Sequence, residues 1–267
     1  MGLLSVLIFV ALAVSCVGDG WASQTQAFFS PVMGSHYSIQ FAVPDGIVPA
    51  HPIPAVVLLD GNWYFDGSHW RLSDGEVLSL AMKLVEQKVI PQVLLIGVGF
   101  VNPEQRAEAF LLRYRHFHAF LIDELIPFLT ATYPIDLDRI HLLGHSDGGF
   151  FTFYSFTQAV LGNSAFRGFV GLSPDFNKLT EDAYTWEAEA RESLSETSAG
   201  SLSLFLGAGR REEYRFVLSL ARMESRIESW PSESVRFQSM LYPNETHTTV
   251  VRQGFADGLS WLFETDW

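Results

Sequence analysis

A chain of 267 residues that is 48% hydrophobic and 18% charged can bury the core of one large α/β domain or two small ones. Its formal net charge of -13, with no run of five basic residues, repels phosphate backbones and anionic lipid, so nucleic acid and peripheral membrane binding are excluded as first readings. The single cysteine, Cys16, excludes an internal disulfide and a cysteine-based zinc site.

Residues Leu3 to Val17 are nearly all apolar, and Gly18, Asp19 and Gly20 break the run. A stretch of about fifteen residues is short for a membrane span and suits the apolar region of a signal peptide. Ala22 stands at a small-residue cleavage position, although no Lys or Arg precedes the run. The expected organisation is a signal peptide over 1–22, a single domain over 23–267, and a secreted or periplasmic location. Ala13-Val14-Ser15-Cys16 faintly resembles a lipoprotein box, which makes a lipid anchor at Cys16 the alternative. Asn244-Glu245-Thr246 is a formal glycosylation sequon.

From about Phe28 strands and helices alternate. Tyr37, Ile39 and Phe41 have the period of a half-buried strand. Ala55 to Leu59 is a continuous apolar run entering Asp60-Gly61, as a buried strand entering a loop does. Ser73 and Glu76 have capping-box spacing and open a helix expected to reach about Lys88. Val93 to Val98 predicts a buried strand, and residues 116 to 132 a helix kinked at Pro127. Arg139 to Leu143 predicts a strand that runs into Gly144-His145-Ser146-Asp147-Gly148-Gly149 and a Phe-rich helix. Strands are expected at Phe169 to Leu172, Leu202 to Leu206 and Val235 to Leu241, and helices at Glu213 to Glu228 and 248 to 264. The acidic, polar stretch 175–200 is expected to be a loop or small cap excursion. This alternation predicts an α/β fold with a mostly parallel central sheet and helices on both faces, whose ligands sit at the carboxyl ends of the strands.

Gly144-x-Ser146-x-Gly148, between a buried strand and a helix, fits the nucleophile elbow of the α/β-hydrolase fold. A serine hydroxyl is a poor nucleophile at neutral pH and needs a histidine base, itself oriented by a carboxylate. In this fold the chain order is serine, acid, histidine. His247 is the only histidine after Ser146. The acid should follow the strand ending near Leu206; Glu212 is preferred, Glu213 is next and Asp175 is weaker. An oxyanion formed in acyl transfer needs two preorganised N–H donors, expected from the backbone of Asp147 and of Asn62.

Other signals are weaker. His116-x-His118 has metal-like spacing but points apart on a helix, so no metal site is assigned. Gly97-Val98-Gly99 lacks the last glycine of a dinucleotide loop. Trp63, Tyr64 and Trp70 could wall an acyl or aryl pocket or pack the core, and Arg113 and Arg115 could meet an anionic substrate or face solvent.

The sequence resembles the putative-esterase family of α/β-hydrolases, which includes enterochelin and related siderophore esterases, feruloyl-type esterases and mycolyltransferases. The resemblance runs from about Asp60 to Phe263. It is carried by Leu59-Asp60-Gly61, Asp123-Glu124-Leu125-Ile126-Pro127-Phe128, Gly144 to Gly149, Leu172-Ser173-Pro174, Gly209-x-x-Glu212 and Thr246-His247-Thr248-Thr249-Val250 before Gly258-Leu259. It implies Ser146 and His247 as catalytic, supports Glu212 as the acid, and places oxyanion donors at Asn62 and Asp147. The chain departs from the pattern in three places. Asp147 stands where an apolar residue is usual, the segment after Arg106 lacks an Asp-Tyr-x-Pro stretch, and Asp175 replaces the last serine of Ser-Pro-Ser. Some members work with a Ser-His dyad. The resulting expectation is a serine carboxylic-ester hydrolase acting through an acyl-enzyme on Ser146, with a small-molecule ester substrate of siderophore or aryl type and no cofactor. An acyltransferase with the same triad, or a non-catalytic binding protein on a hydrolase scaffold, are the alternatives.

Overall fold

The computed structural model describes residues 14–16, 20–46, 51–65, 77–194, 202–231 and 235–264. Nine strands are defined among them: β1 Val14–Cys16, β2 Trp21–Ser30, β3 Ser35–Pro44, β4 Ile53–Leu59, β5 Leu94–Phe100, β6 Ile135–His145, β7 Gly168–Leu172, β8 Leu202–Gly209 and β9 Val235–Tyr242. They form one sheet in the order β1-β2-β3-β5-β4-β6-β7-β8-β9. The pairs β1/β2, β2/β3 and β3/β5 are antiparallel, and every pair from β5/β4 to β8/β9 is parallel.

The apolar runs sit in the middle of this sheet because both of its faces are covered. Residues alternate between two cores at the strand period. Val57 and Leu59 of β4 join one core with Leu142, Leu204 and Leu206, and Val56 and Leu58 join the other with Leu143 and Phe205. The first core is closed by α6, Asp147–Val160, where Phe150, Phe151, Phe153 and Phe156 are fully buried. The second is closed by α2, Val77–Glu86, and α9, Val250–Phe263, through Val77, Leu78, Phe255, Leu259 and Phe263. Glycine allows the close approach of α9 to the sheet: a Cβ on Gly258 would lie 2.6 Å from Val170.

Three expectations are corrected or extended. The stretch 175–200, expected as a loop or small cap excursion, contains a helix, α7, over Thr180–Ser193. Its inward stripe is Ala183, Trp186, Glu187 and Ala190, and the fully buried Glu187 within that stripe disguises its period. Glu187 is neutralised by an ion pair to Arg226 and accepts from the indole N–H of Trp230 at 2.6 Å. The helix predicted at 116–132 begins earlier and is broken by π turns: α3 Glu104–Ala107, a π turn over Glu108–Leu112, α4 Tyr114–Ala119, a second π turn over Phe120–Leu125, and α5 Ile126–Thr132. Pro127 lies in the first turn of α5, where the missing N–H is tolerated, and the preceding π turn takes up the irregularity. The helix expected to reach Lys88 ends at Glu86, and Lys88 closes it in the left-handed region at φ 57.

The expected capping box at Ser73–Glu76, Trp70 and most of residues 1–22 lie outside the described residues. The expected processing boundary after Ala22 falls inside β2, and Ala22 pairs with Cys16 of β1. Among the described residues no helix is long and apolar enough to cross a membrane. The helix expected at Glu213 to Glu228 is α8, Tyr214–Glu228, after β8, whereas a short helix, α1 Gly61–Tyr64, stands after β4 where a loop was expected.

Candidate active site

The carboxyl ends of β4, β6, β7, β8 and β9 converge on one edge of the sheet, as expected for a ligand site in a parallel α/β fold. At the end of β6 the chain turns directly into α6. Ser146 makes that turn at φ 58 and ψ -121, a strained conformation for a residue with a side chain. The flanking glycines are required by contact distances. A Cβ on Gly144 would lie 2.3 Å from the Gly148 carbonyl oxygen, and one on Gly149 would lie 2.6 Å from the Leu172 carbonyl oxygen. The Ser146 amide donates to Leu172 O at 2.8 Å, which fixes the turn against β7.

His247 lies between β9 and α9. Its Nε2 is 3.1 Å from Ser146 Oγ and its Nδ1 is 2.8 Å from Glu212 Oε2. Glu212 leaves the end of β8 with a fully buried side chain. Its second oxygen accepts from the Ser173 hydroxyl at 2.6 Å and from the Gly209 amide at 2.6 Å. The other acid candidates stand elsewhere. Glu213 is 72% exposed and pairs with Arg215, and the buried Asp175 faces Lys178 at 3.9 Å. Gly209 is a glycine because the loop carrying His247 crosses it, with Glu245 O at 2.4 Å from where a Cβ would be.

His145, between Gly144 and Ser146, joins the site through contacts that the motif alone does not reveal. Its Nε2 lies 2.7 Å from the His247 carbonyl oxygen, and its Nδ1 lies 2.7 Å from the Tyr64 hydroxyl. A carbonyl can only accept, so Nε2 carries the proton and Nδ1 accepts from Tyr64. Burial, with His247 close by, holds the His145 imidazole well below the usual histidine range and keeps it neutral. The base loop is thereby tied to α1. Tyr64 is itself buried in the core, so it does not wall a pocket.

Asn62 sits in the first turn of α1, where amides lack intrahelical acceptors, and its side-chain oxygen accepts from the Phe100 amide at 3.2 Å. The loop before it packs on the nucleophile turn: Asp60 Oδ2 is 3.3 Å from where a Cβ on Gly148 would lie. Asp147 does not present a free negative charge. Lys178 Nζ meets its Oδ1 and Arg106 meets its Oδ2, both at 2.6 Å. Arg106 was not singled out from the sequence as a site residue; its position on a short helix after β5 gave no periodic signal.

The weaker candidates take structural positions. Arg113 donates to the carbonyls of Met33 and Val32 and pairs with Glu108. Arg115 lies over the Tyr114 ring. His116 is exposed and His118 is buried, so the two do not face a common ligand. Trp63 lies over the Arg106 guanidinium at 4.8 Å.

The chain matches the family described as Putative esterase over residues 30–160, a span that includes Asp60 to Asn62, Arg106 and the Ser146 turn. No curated protein matches it in sequence. Solved structures share the fold. The BES protein from Bacillus cereus is 19% identical with a TM-score of 0.78, covering 95% of this chain and 98% of that one. An IroE-like serine hydrolase from Shewanella oneidensis is 18% identical with a TM-score of 0.73, covering 91% and 80%. The siderophore hydrolase EstB from Aspergillus nidulans is 16% identical with a TM-score of 0.72, covering 92% and 96%. The elbow lies inside the span matched by the Putative esterase model, and the chain has the α/β-hydrolase fold that these solved structures share.

Proposed function

We propose that this protein is an esterase that hydrolyses a carboxylic ester through an acyl-enzyme on Ser146. The reading is carried by one observation, the hydrogen-bonded file from Ser146 Oγ through the His247 ring to the buried Glu212 carboxylate. Ser146 Oγ attacks the ester carbonyl carbon as His247 Nε2 takes the hydroxyl proton. Glu212 holds Nδ1–H in place and stabilises the imidazolium. The carbonyl oxygen becomes an oxyanion and rests on the amides of Asn62 and Asp147. Collapse breaks the bond to the alcohol, which leaves with the proton from His247. Water then attacks the acyl-serine, giving its proton to His247, and the acid departs as that proton returns to Ser146.

The substrate class proposed is a small siderophore-type or aryl ester. The fold shared with the siderophore hydrolase EstB supports it. The apolar amino-terminal segment supports export, with residues 23–267 acting as one domain. The reading is tested with p-nitrophenyl butyrate. Ser146→Ala should leave the fold intact by circular dichroism and abolish release of nitrophenol; retained turnover would refute the mechanism.

A further inference from the structure

Arg106 extends from α3 into the interior beneath the nucleophile turn, and its side chain is only 13% exposed. The Trp63 and Phe110 rings lie 4.8 and 5.3 Å from its guanidinium carbon. Each nitrogen of the guanidinium makes a hydrogen bond. Nε and one terminal nitrogen hold both oxygens of Asp60, at 2.8 and 2.9 Å, and the other terminal nitrogen holds Asp147 at 2.6 Å.

The two carboxylates it joins stand beside the two proposed oxyanion donors. Asp60 starts the turn that presents Gly61 and Asn62, and does so in the left-handed region at φ 55 and ψ 41. Asp147 is itself the second donor and follows Ser146 at φ 58. Both strained turns are therefore gripped through the side chain at the strained position or the one after it. The planar fork of an arginine fixes the angle between its partners, which a lysine ammonium does not. Asp147 is held from both sides, by Arg106 and by Lys178, which also lies 3.9 Å from the buried Asp175.

We propose that Arg106 is a positioning residue that sets the distance between the two halves of the oxyanion hole. This rests on the serine-esterase reading above. Loss of the fork shifts one donor against the other, and the penalty falls on the tetrahedral state rather than on substrate binding.

The test uses the full chain with p-nitrophenyl butyrate, kcat being counted per Ser146 that takes a fluorophosphonate. Arg106→Lys keeps the charge and loses the fork. It should lower kcat by about tenfold to a hundredfold while KM moves by less than about threefold. The inhibition constant of an alkyl boronic acid, which forms a tetrahedral adduct on serine, should weaken in parallel with kcat. Because Arg106→Lys strains a buried ion pair, the double variant Asp60→Asn/Arg106→Gln is measured beside it. That variant leaves Asp147 paired with Lys178 and should show the same kcat loss. Wild-type kcat per labelled site in either variant, or a boronate constant that does not move, would overturn the proposal while the esterase reading stands. Wild-type protein that takes no fluorophosphonate would overturn the esterase reading itself.

Discussion

Replacing Glu212 with glutamine separates orientation from charge in a way the geometry makes explicit. Glu212 accepts three hydrogen bonds, from His247 Nδ1, the Ser173 hydroxyl and the Gly209 amide. A glutamine offers one oxygen and one NH2. If the oxygen faces His247, the NH2 meets the Gly209 amide, a donor that cannot turn away. If the NH2 faces His247, Nδ1 must accept, the proton moves to Nε2, and the ring cannot take the Ser146 proton. The first arrangement strands a buried backbone donor, at about 1–3 kcal/mol. The second holds the wrong tautomer, for which a loss of about ten-thousandfold in kcat is the reference magnitude. Glu212→Gln should therefore lower kcat/KM for p-nitrophenyl butyrate by roughly a thousandfold or more, near 4 kcal/mol at about 1.4 kcal/mol per decade. A denaturant melt should also show some loss of stability. Activity within about tenfold of wild type would refute the orienting role and leave Ser146 and His247 working as a dyad.

Tyr64→Phe removes the donor to His145 Nδ1 and leaves a buried acceptor unpaired, so stability should fall by about 1–3 kcal/mol. Through the freed His145 ring, kcat should fall by about threefold to tenfold. A stability loss without any change in kcat would remove His145 from the positioning of the base loop. Burial lowers His118 to about 4 and leaves its Nε2 without a partner. The unfolded chain then binds the extra proton first as pH falls. The group's penalty is absent above about pH 6.5 and grows by about 1.4 kcal/mol per pH unit down to its folded value. His118→Leu should flatten the fall in stability between about pH 6 and pH 4, followed by urea melts; an unchanged slope would refute this. Gly144→Ala would bring a Cβ to 2.3 Å from backbone, and should yield little folded protein.

The elements legible in the sequence were those with a single strong cause. Continuous apolar runs marked β4 to β8 because both sheet faces are covered, and the elbow glycines are needed at contact distance. Ser146, His247 and Glu212 could be proposed because chain order in this fold constrains them. What stayed hidden depends on pairing across long sequence separations. Glu187 made α7 look solvated, since its partners Arg226 and Trp230 lie on and after α8. The Arg106 fork likewise has meaning only once β4 and β6 lie side by side, bringing Asp60 and Asp147 within reach. Most of β2 was unmarked because polarity does not follow burial along it: Gln24 and Gln26 are on the half-buried face and Ala27 and Phe29 on the exposed one.

The central claim is an activated serine at the end of β6. Its most direct test is intact-mass analysis of the purified protein after fluorophosphonate treatment, with Ser146→Ala in parallel. The account predicts one adduct on wild type and none on the variant. An adduct that persists in Ser146→Ala, or none on folded wild type, would contradict it.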